Sequence, residues 1–88
     1  MDRWLDTRLT QVPPALRRRV EDALRKTEKG ASGRAERLRA AADVLLAEAA
    51  NAPPSRETAL ALLAADALMT YACESVAESS PEALGEMR

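Results

Sequence analysis

Residues 55–78 read SRETALALLAADALMTYACESVAE, and this stretch decides the fold. When its residues are placed at steps of about 100°, the apolar side chains cover well over half of a helix. Only Asp66, Thr70 and Glu74 form a polar stripe. A helix with so wide an apolar arc needs neighbours on two or three sides. The sequence therefore predicts that residues 55–78 form the long central helix of a bundle, a helix at a dimer interface, or both.

The composition excludes most alternatives to a helical fold. Of the 88 residues, 47% are hydrophobic; 19 residues are Ala and 12 are Leu, whereas Ile and Phe are absent. The β-branched and aromatic residues that fill strands are nearly missing, so a sheet is not expected. The length allows one domain at most. We therefore predict an all-α fold, a small helical bundle in a single domain over residues 1–88.

Proline, glycine and serine divide the chain into helices. The paired prolines at 13–14 and 53–54 end helices, because the residue before proline avoids the α region. Ser32 and Ser55 are expected to cap the helices that follow them. The pattern predicts four main helices at 2–11, 14–27, 33–51 and 55–78, and a short C-terminal helix at 81–87. The third helix is expected to bury Ala35, Leu38, Ala42, Leu45, Leu46 and Ala49.

The helix at 55–78 also supplies a candidate interface. Alanines at 61, 65 and 72 lie between two groups of larger apolar side chains, so another backbone can come close. Because Ala buries little area, the core of one chain is thin, and a dimer would bury more apolar surface at ~25 cal/mol per Å². We therefore predict a homodimer or a higher oligomer. The candidate interface residues are Leu60, Leu62, Leu68, Met69, Tyr71 and Val76.

Charge is divided unevenly along the chain. The formal net charge is −1, but residues 1–40 carry a net +5 and residues 41–88 a net −6. One interpretation is that the Arg-rich helix at 14–27 binds the phosphates of DNA, in an arrangement like a helix-turn-helix. The candidate basic surface consists of Arg17, Arg18, Arg19 and Arg25, extended by Lys26 and Lys29.

The spacing of the charges favours a different interpretation. Arg17 precedes Glu21 by four residues and Asp22 precedes Lys26 by four, which is the spacing of ion pairs along a solvated helix face. The loop before the third helix is longer than the usual turn of a helix-turn-helix. No side chains suited to reading bases accompany the basic run. Nucleic acid is therefore not the expected partner.

Few residues could perform chemistry. The chain has no His and one Cys, which excludes the usual general base and Cys-rich metal sites. Cys73 lies on the apolar side of its helix and is expected to be a small core residue. Asp66 and Glu74 supply too few ligands for a cation, so we expect them to face water or to pair with an arginine of the second or third helix. Trp4 is expected to anchor the first helix. No catalytic, cofactor-binding or metal-binding residue is predicted.

Residues 59–77 approach the length of a bilayer span, but the carboxylates of Asp66 and Glu74 oppose insertion into lipid. Residues 1–6 contain no apolar leader. We therefore expect a cytoplasmic protein that does not associate with membranes.

These observations predict a small protein-interaction or assembly module without enzymatic activity or cofactor. Its partner would be a second copy of itself or a helix of another protein. The alternative is a small DNA-binding or transcription-regulatory protein that uses the helix at 14–27. A third class, a bundle that binds a small molecule, would require a closed apolar cavity.

Overall fold

A computed structural model of the protein describes residues 3–27 and 33–79, which fold as helices joined by short turns. The predicted all-α fold is confirmed, and the described residues contain no strand. The helices are α1 Arg3–Leu9, α2 Pro14–Lys26, α3 Arg34–Ala50 and α4 Arg56–Ser79. The predicted helix at 81–87 and the predicted cap Ser32 lie outside the described residues.

Local hydrogen bonds explain where α3 ends and α4 begins. The Asn51 side-chain amide donates to the Ala47 carbonyl at 2.9 Å, which satisfies one of the last carbonyls of α3. After the prolines, the Ser55 hydroxyl accepts a hydrogen bond from the Thr58 backbone N–H at 3.1 Å. Ser55 is therefore the N-cap of α4, as predicted.

The core lies where α4 packs against α3 and, less extensively, against α2. The buried side of α4 carries mostly small residues, which let the backbone of α3 approach closely. Larger side chains from the neighbouring helices, such as Leu24 and Leu38, fill the space between them. The buried residues of α4 are Ala61, Ala64, Ala65, Leu68, Ala72 and Ser75.

The rotation of α3 differs from the prediction at Leu46. This residue is predicted in the core but is 44% exposed, whereas Ala41 is fully buried. Burial in the core sets this rotation, because Leu38, Ala41 and Leu45 form the buried side of α3. On the side towards α2, Glu48 binds Arg19 and Lys26, each at 3.1 Å. Leu46 lies two residues before Glu48, about 200° around the helix, and therefore faces away from α2.

The apolar arc of α4 is only partly covered within the chain. As its width predicts, more than one helix packs against it, namely α2 and α3, but Leu62 and Leu63 remain 49% and 57% exposed. The other helices cover the alanine-rich side, because small residues allow the closest packing there. One side of α4 is therefore left uncovered by the described residues.

A 23-residue part of α4, Arg56–Glu78, has the length and the mean hydropathy, 1.4, of a membrane-spanning helix. The core helices of soluble proteins meet the same criteria. The finding therefore carries no conclusion about a membrane.

Candidate interaction face on helix α4

The predicted interface residues occupy three different environments. Leu68 is fully buried and belongs to the core of the chain itself. Leu62 is exposed. The remaining four are half-buried, namely Leu60, Met69, Tyr71 and Val76. Among these six residues, Leu62 therefore offers the most accessible apolar surface to a partner.

A continuous row of exposed residues follows the uncovered side of α4. Its members are Arg56, Ala59, Leu63, Asp66 and Thr70, all of them exposed. Their spacing alternates between three and four residues, which places them on one side of a helix. We call this row the open face. Leu62 borders it and widens its apolar centre.

The open face has an apolar middle between two opposite charges. Arg56 lies near the N-terminal end of α4 and Asp66 lies ten residues further on, about 15 Å along the helix. Among the described residues, neither side chain forms an ion pair. Leu63 lies between them and has the largest exposed fraction of any large apolar side chain described. The face therefore combines an apolar surface with two charged groups available to a partner.

Arg56, Ala59 and Leu63 were not among the residues predicted from the sequence. A usable signal was present, because the buried residues 61, 64, 65, 68 and 72 follow the spacing of a helix face. The opposite side of the same helix contains the open face. The wide apolar arc concealed this signal, since the leucines suggested neighbours on two or three sides.

The C-terminal end of α4 is covered by α1. The Arg8 guanidinium donates to Glu74 at 3.2 Å through Nε and to Glu78 at 3.1 Å through Nη2. The Trp4 indole N–H donates to the same Glu78 carboxylate at 2.7 Å. Leu5 and Leu9 of α1 are buried in the core. Glu74 thus pairs with an arginine as predicted, but the arginine comes from α1 instead of α2 or α3.

Trp4 is the expected anchor of the first helix, and cations surround its ring. The guanidinium of Arg8 lies 3.6 Å from the ring centroid and that of Arg34 lies 4.5 Å from it. Such cation–π contacts stabilise the indole and hold the two arginines in place.

The hydroxyl of Tyr71 on α4 has a raised pKa. Burial is the largest cause, and the negative charge of Glu74 raises the pKa further.

Most of the candidate basic surface on α2 is bound to carboxylates. Arg17 binds Glu21 at 3.3 Å, as the spacing predicted, and Arg19 binds Glu48. Arg25 binds Asp22 at 2.6 Å. The fourth arginine, Arg18, is exposed. Phosphate groups would therefore have to displace carboxylates from three of the four arginines.

The acidic side chains on and beside α2 also change the ionisation of their partners. The predicted pair between Asp22 and Lys26 forms at 3.2 Å. The hydrogen bond from Lys26 lowers the pKa of the Asp22 carboxyl, and a hydrogen bond to Glu48 is the largest cause of the raised pKa of Lys26. Both groups are thus held in their charged forms at neutral pH.

Two surface depressions lie among the described residues, and neither is the closed apolar cavity that a ligand-binding bundle would need. A surface depression of about 560 Å³ is lined by Arg18, Arg19, Glu21, Asp22 and Arg25. A smaller one, of about 220 Å³, lies among α2, the end of α3 and the start of α4, and is lined by alanines together with Arg19, Glu48 and Glu57. Both depressions are mixed in charge and open to solvent.

Neither Cys73 nor Asp66 lies in an arrangement that suggests chemistry. Cys73 is a free thiol and is half-buried, not buried as predicted. Asp66 is exposed, and its backbone carbonyl accepts a hydrogen bond from the Thr70 hydroxyl at 3.1 Å. Within residues 3–27 and 33–79, no group of three or more acidic or Cys side chains could hold a metal ion.

Comparison of the chain with protein-family models, with curated proteins and with solved structures finds no match.

Proposed function

We propose that this protein is a small, non-enzymatic interaction module that self-associates through the open face of α4. The observation that carries the proposal is the exposure of Leu63 and Leu62, 57% and 49%, on the uncovered side of the longest helix. A single exposed leucine is ordinary on a protein surface. Two adjacent leucines that lie between Arg56 and Asp66 along the helix instead resemble the apolar centre and polar rim of an interface.

The energetics of the core support the same proposal. Seven of the fourteen buried hydrophobic residues are alanines, so the fold buries little apolar area for its length. Moving a leucine from water into a packed interface contributes roughly 1.5–3 kcal/mol. Covering the leucines of the open face would therefore add substantially to the stability of a chain with so small a core.

The ion pairs on α2 support self-association over DNA binding. Arg17, Arg19 and Arg25 each bind a carboxylate within the chain. Binding to DNA would exchange these pairs for phosphates, which reduces the gain from each contact. Opposite charges between the α2 arginines and neighbouring acids instead stabilise the bundle.

The test is the oligomeric state of the protein, measured by light scattering and sedimentation over a range of micromolar concentrations. We expect the mass to rise towards a dimer or higher oligomer with concentration. Leu63→Glu should abolish this rise, because it places a charge in the apolar centre of the face. Leu46→Glu is the matched control, since it places the same charge at an exposed leucine of α3, and it should leave association unchanged.

Two results would overturn the proposal. One is a strict monomer at high micromolar concentration. The other is DNA binding at physiological salt that disappears when Arg17, Arg18 and Arg19 are replaced together by Gln while the helical circular dichroism signal is retained. The second result would instead identify α2 as the functional surface.

A further inference from the structure

We infer that two copies of this chain pair through the open faces of α4 in antiparallel orientation, with Arg56 of each copy facing Asp66 of the other. The two-fold axis lies at the level of Ala61. This inference rests on the proposed self-association and adds its geometry. The antiparallel orientation follows from the order of charged, small and large side chains along the open face.

The positions of the open face are symmetric about residue 61. Arg56 and Asp66 lie five residues before and after it, and Ala59 and Leu63 lie two residues before and after it. When two identical helices cross a two-fold axis at this level, Arg56 meets Asp66 and Ala59 meets Leu63. An isologous interface requires this kind of self-complementarity.

The spacing supports packing as well as charge. Residues 56, 59, 63 and 66 alternate by three, four and three positions, as the seam residues of paired helices do. In the antiparallel arrangement, each Leu63 lies opposite the small side chain of Ala59. A large residue opposite a small one lets the two helices approach closely, and Leu62 covers one edge of the contact.

A parallel pair would not use the same residues favourably. It would place Arg56 opposite Arg56 and Asp66 opposite Asp66, and like charges that face each other oppose association. Leu63 would then meet Leu63, and Ala59 would leave a gap beside Ala59. The order of the four residues therefore selects the antiparallel pair.

The extent of the contact follows from the two ends of α4. The loop before Arg56 ends the helix on one side, and on the other side α1 covers the region around Glu74 and Glu78. The paired stretch from 56 to 66 is about 15 Å long. So short a contact is at the small end of protein interfaces, so we expect the dimer to dissociate in the micromolar range.

Reversal of the two charges tests the pairing. In Arg56→Glu, the introduced carboxylate would face Asp66 at both ends of the contact, and in Asp66→Arg, the introduced guanidinium would face Arg56. Each single variant should associate at least about tenfold more weakly than the unchanged protein at low salt, where surface charges are least screened. The double variant Arg56→Glu/Asp66→Arg restores both attractive pairs and should dimerise as the unchanged protein does.

Matched controls separate a specific contact from an effect of net charge. Arg18→Glu on α2 and Asp43→Arg on α3 make the same two charge changes at exposed positions outside the open face. Both should leave the dissociation constant unchanged. Circular dichroism should show that all variants keep their helix content, because every substituted position is exposed.

Four outcomes decide the inference. Weakening in both single variants with recovery in the double variant supports it. If the protein dimerises but the single variants do not weaken the dimer, the antiparallel pairing is wrong while self-association stands; a parallel pair gives this result, because one like-charge contact replaces another. If the single variants weaken the dimer but the double variant does not recover, the pairing is also wrong. A strict monomer overturns the proposed function and the inference together.

Discussion

The two ends of α4 differ in what covers them. At the C-terminal end, Arg8 and Trp4 of α1 bind the carboxylates of Glu74 and Glu78. In the N-terminal half, no ion pair among the described residues involves Arg56 or Asp66, and the leucine between them is exposed. The carboxylates at the C-terminal end of α4 are therefore paired within the chain, whereas the N-terminal half of the helix keeps an exposed side.

The lengths of the helices explain this difference. α1 has 7 residues and spans about 10 Å, whereas α4 has 24 residues and spans about 36 Å. A helix as short as α1 covers only the end of α4 on which it packs. Glu74 and Glu78 are therefore paired because α1 brings Arg8 to them, whereas no cation of the described residues reaches Asp66.

The largest expected effect is a difference in the free energy of unfolding between substitutions of Leu68 and of Leu63, five residues apart on α4. Leu68→Ala should lower the free energy of unfolding by about 2–5 kcal/mol, because it leaves a cavity in the core. Leu63→Ala should change it by less than about 0.5 kcal/mol in the monomer, since this side chain is exposed. Urea unfolding at low protein concentration measures both values. Equal losses would show that Leu63 is also covered within one chain.

A smaller effect is expected where α1 covers α4. Arg8→Ala removes the bonds to Glu74 and Glu78 and the contact with the Trp4 ring, and should cost about 1–2 kcal/mol because its partners are partly solvated. Arg8→Lys should cost less, since it keeps the charge but not the two-pronged geometry.

The matched control for Arg8 is Arg18→Ala, which truncates an exposed arginine of α2 and should leave the free energy of unfolding within about 0.5 kcal/mol. Thermal and urea unfolding of the variants provide the comparison. A loss in Arg8→Ala no greater than in Arg18→Ala would contradict the stabilising role of this contact.

The smallest expected effect is the pH dependence of the stability that the Asp22–Lys26 pair contributes. Because Lys26 lowers the pKa of this carboxyl, the pair stabilises the fold above the ordinary carboxyl range, about pH 4, and this stabilisation is lost as the pH falls through the lowered pKa. Asp22→Asn should therefore reduce the melting temperature slightly at neutral pH, and the difference should disappear in acid.

Asp43→Asn, at an exposed aspartate of α3, is the control for Asp22 and should show no such pH-dependent difference. Thermal unfolding followed by circular dichroism from neutral pH to about pH 2 covers the range in which the effect is expected to disappear. A difference for Asp22→Asn that persists in acid would mean that the effect does not come from the ionised carboxylate.

Local signals in the sequence predicted the helices within one or two residues at nearly every described end. The prolines at 13–14 and 53–54 act on their own neighbours, and the Ser55 cap needs only the backbone of Thr58. The alanine spacing likewise predicted the side of α4 that packs closely. The prediction that Leu46 is buried was wrong, because the rotation of α3 depends on its packing against α4 and α2.

The helical class, the helix ends and the small-residue side of α4 could be predicted from the amino-acid sequence, because they depend on residues close together along the chain. Only the tertiary structure decided which carboxylates are paired and which leucines remain exposed. Arg8 is 66 residues from Glu74, and Arg19 is 29 residues from Glu48, so no spacing rule connects them. Such distant contacts fix the rotation and coverage of each helix, and through them the tertiary structure leaves the open face of α4 accessible.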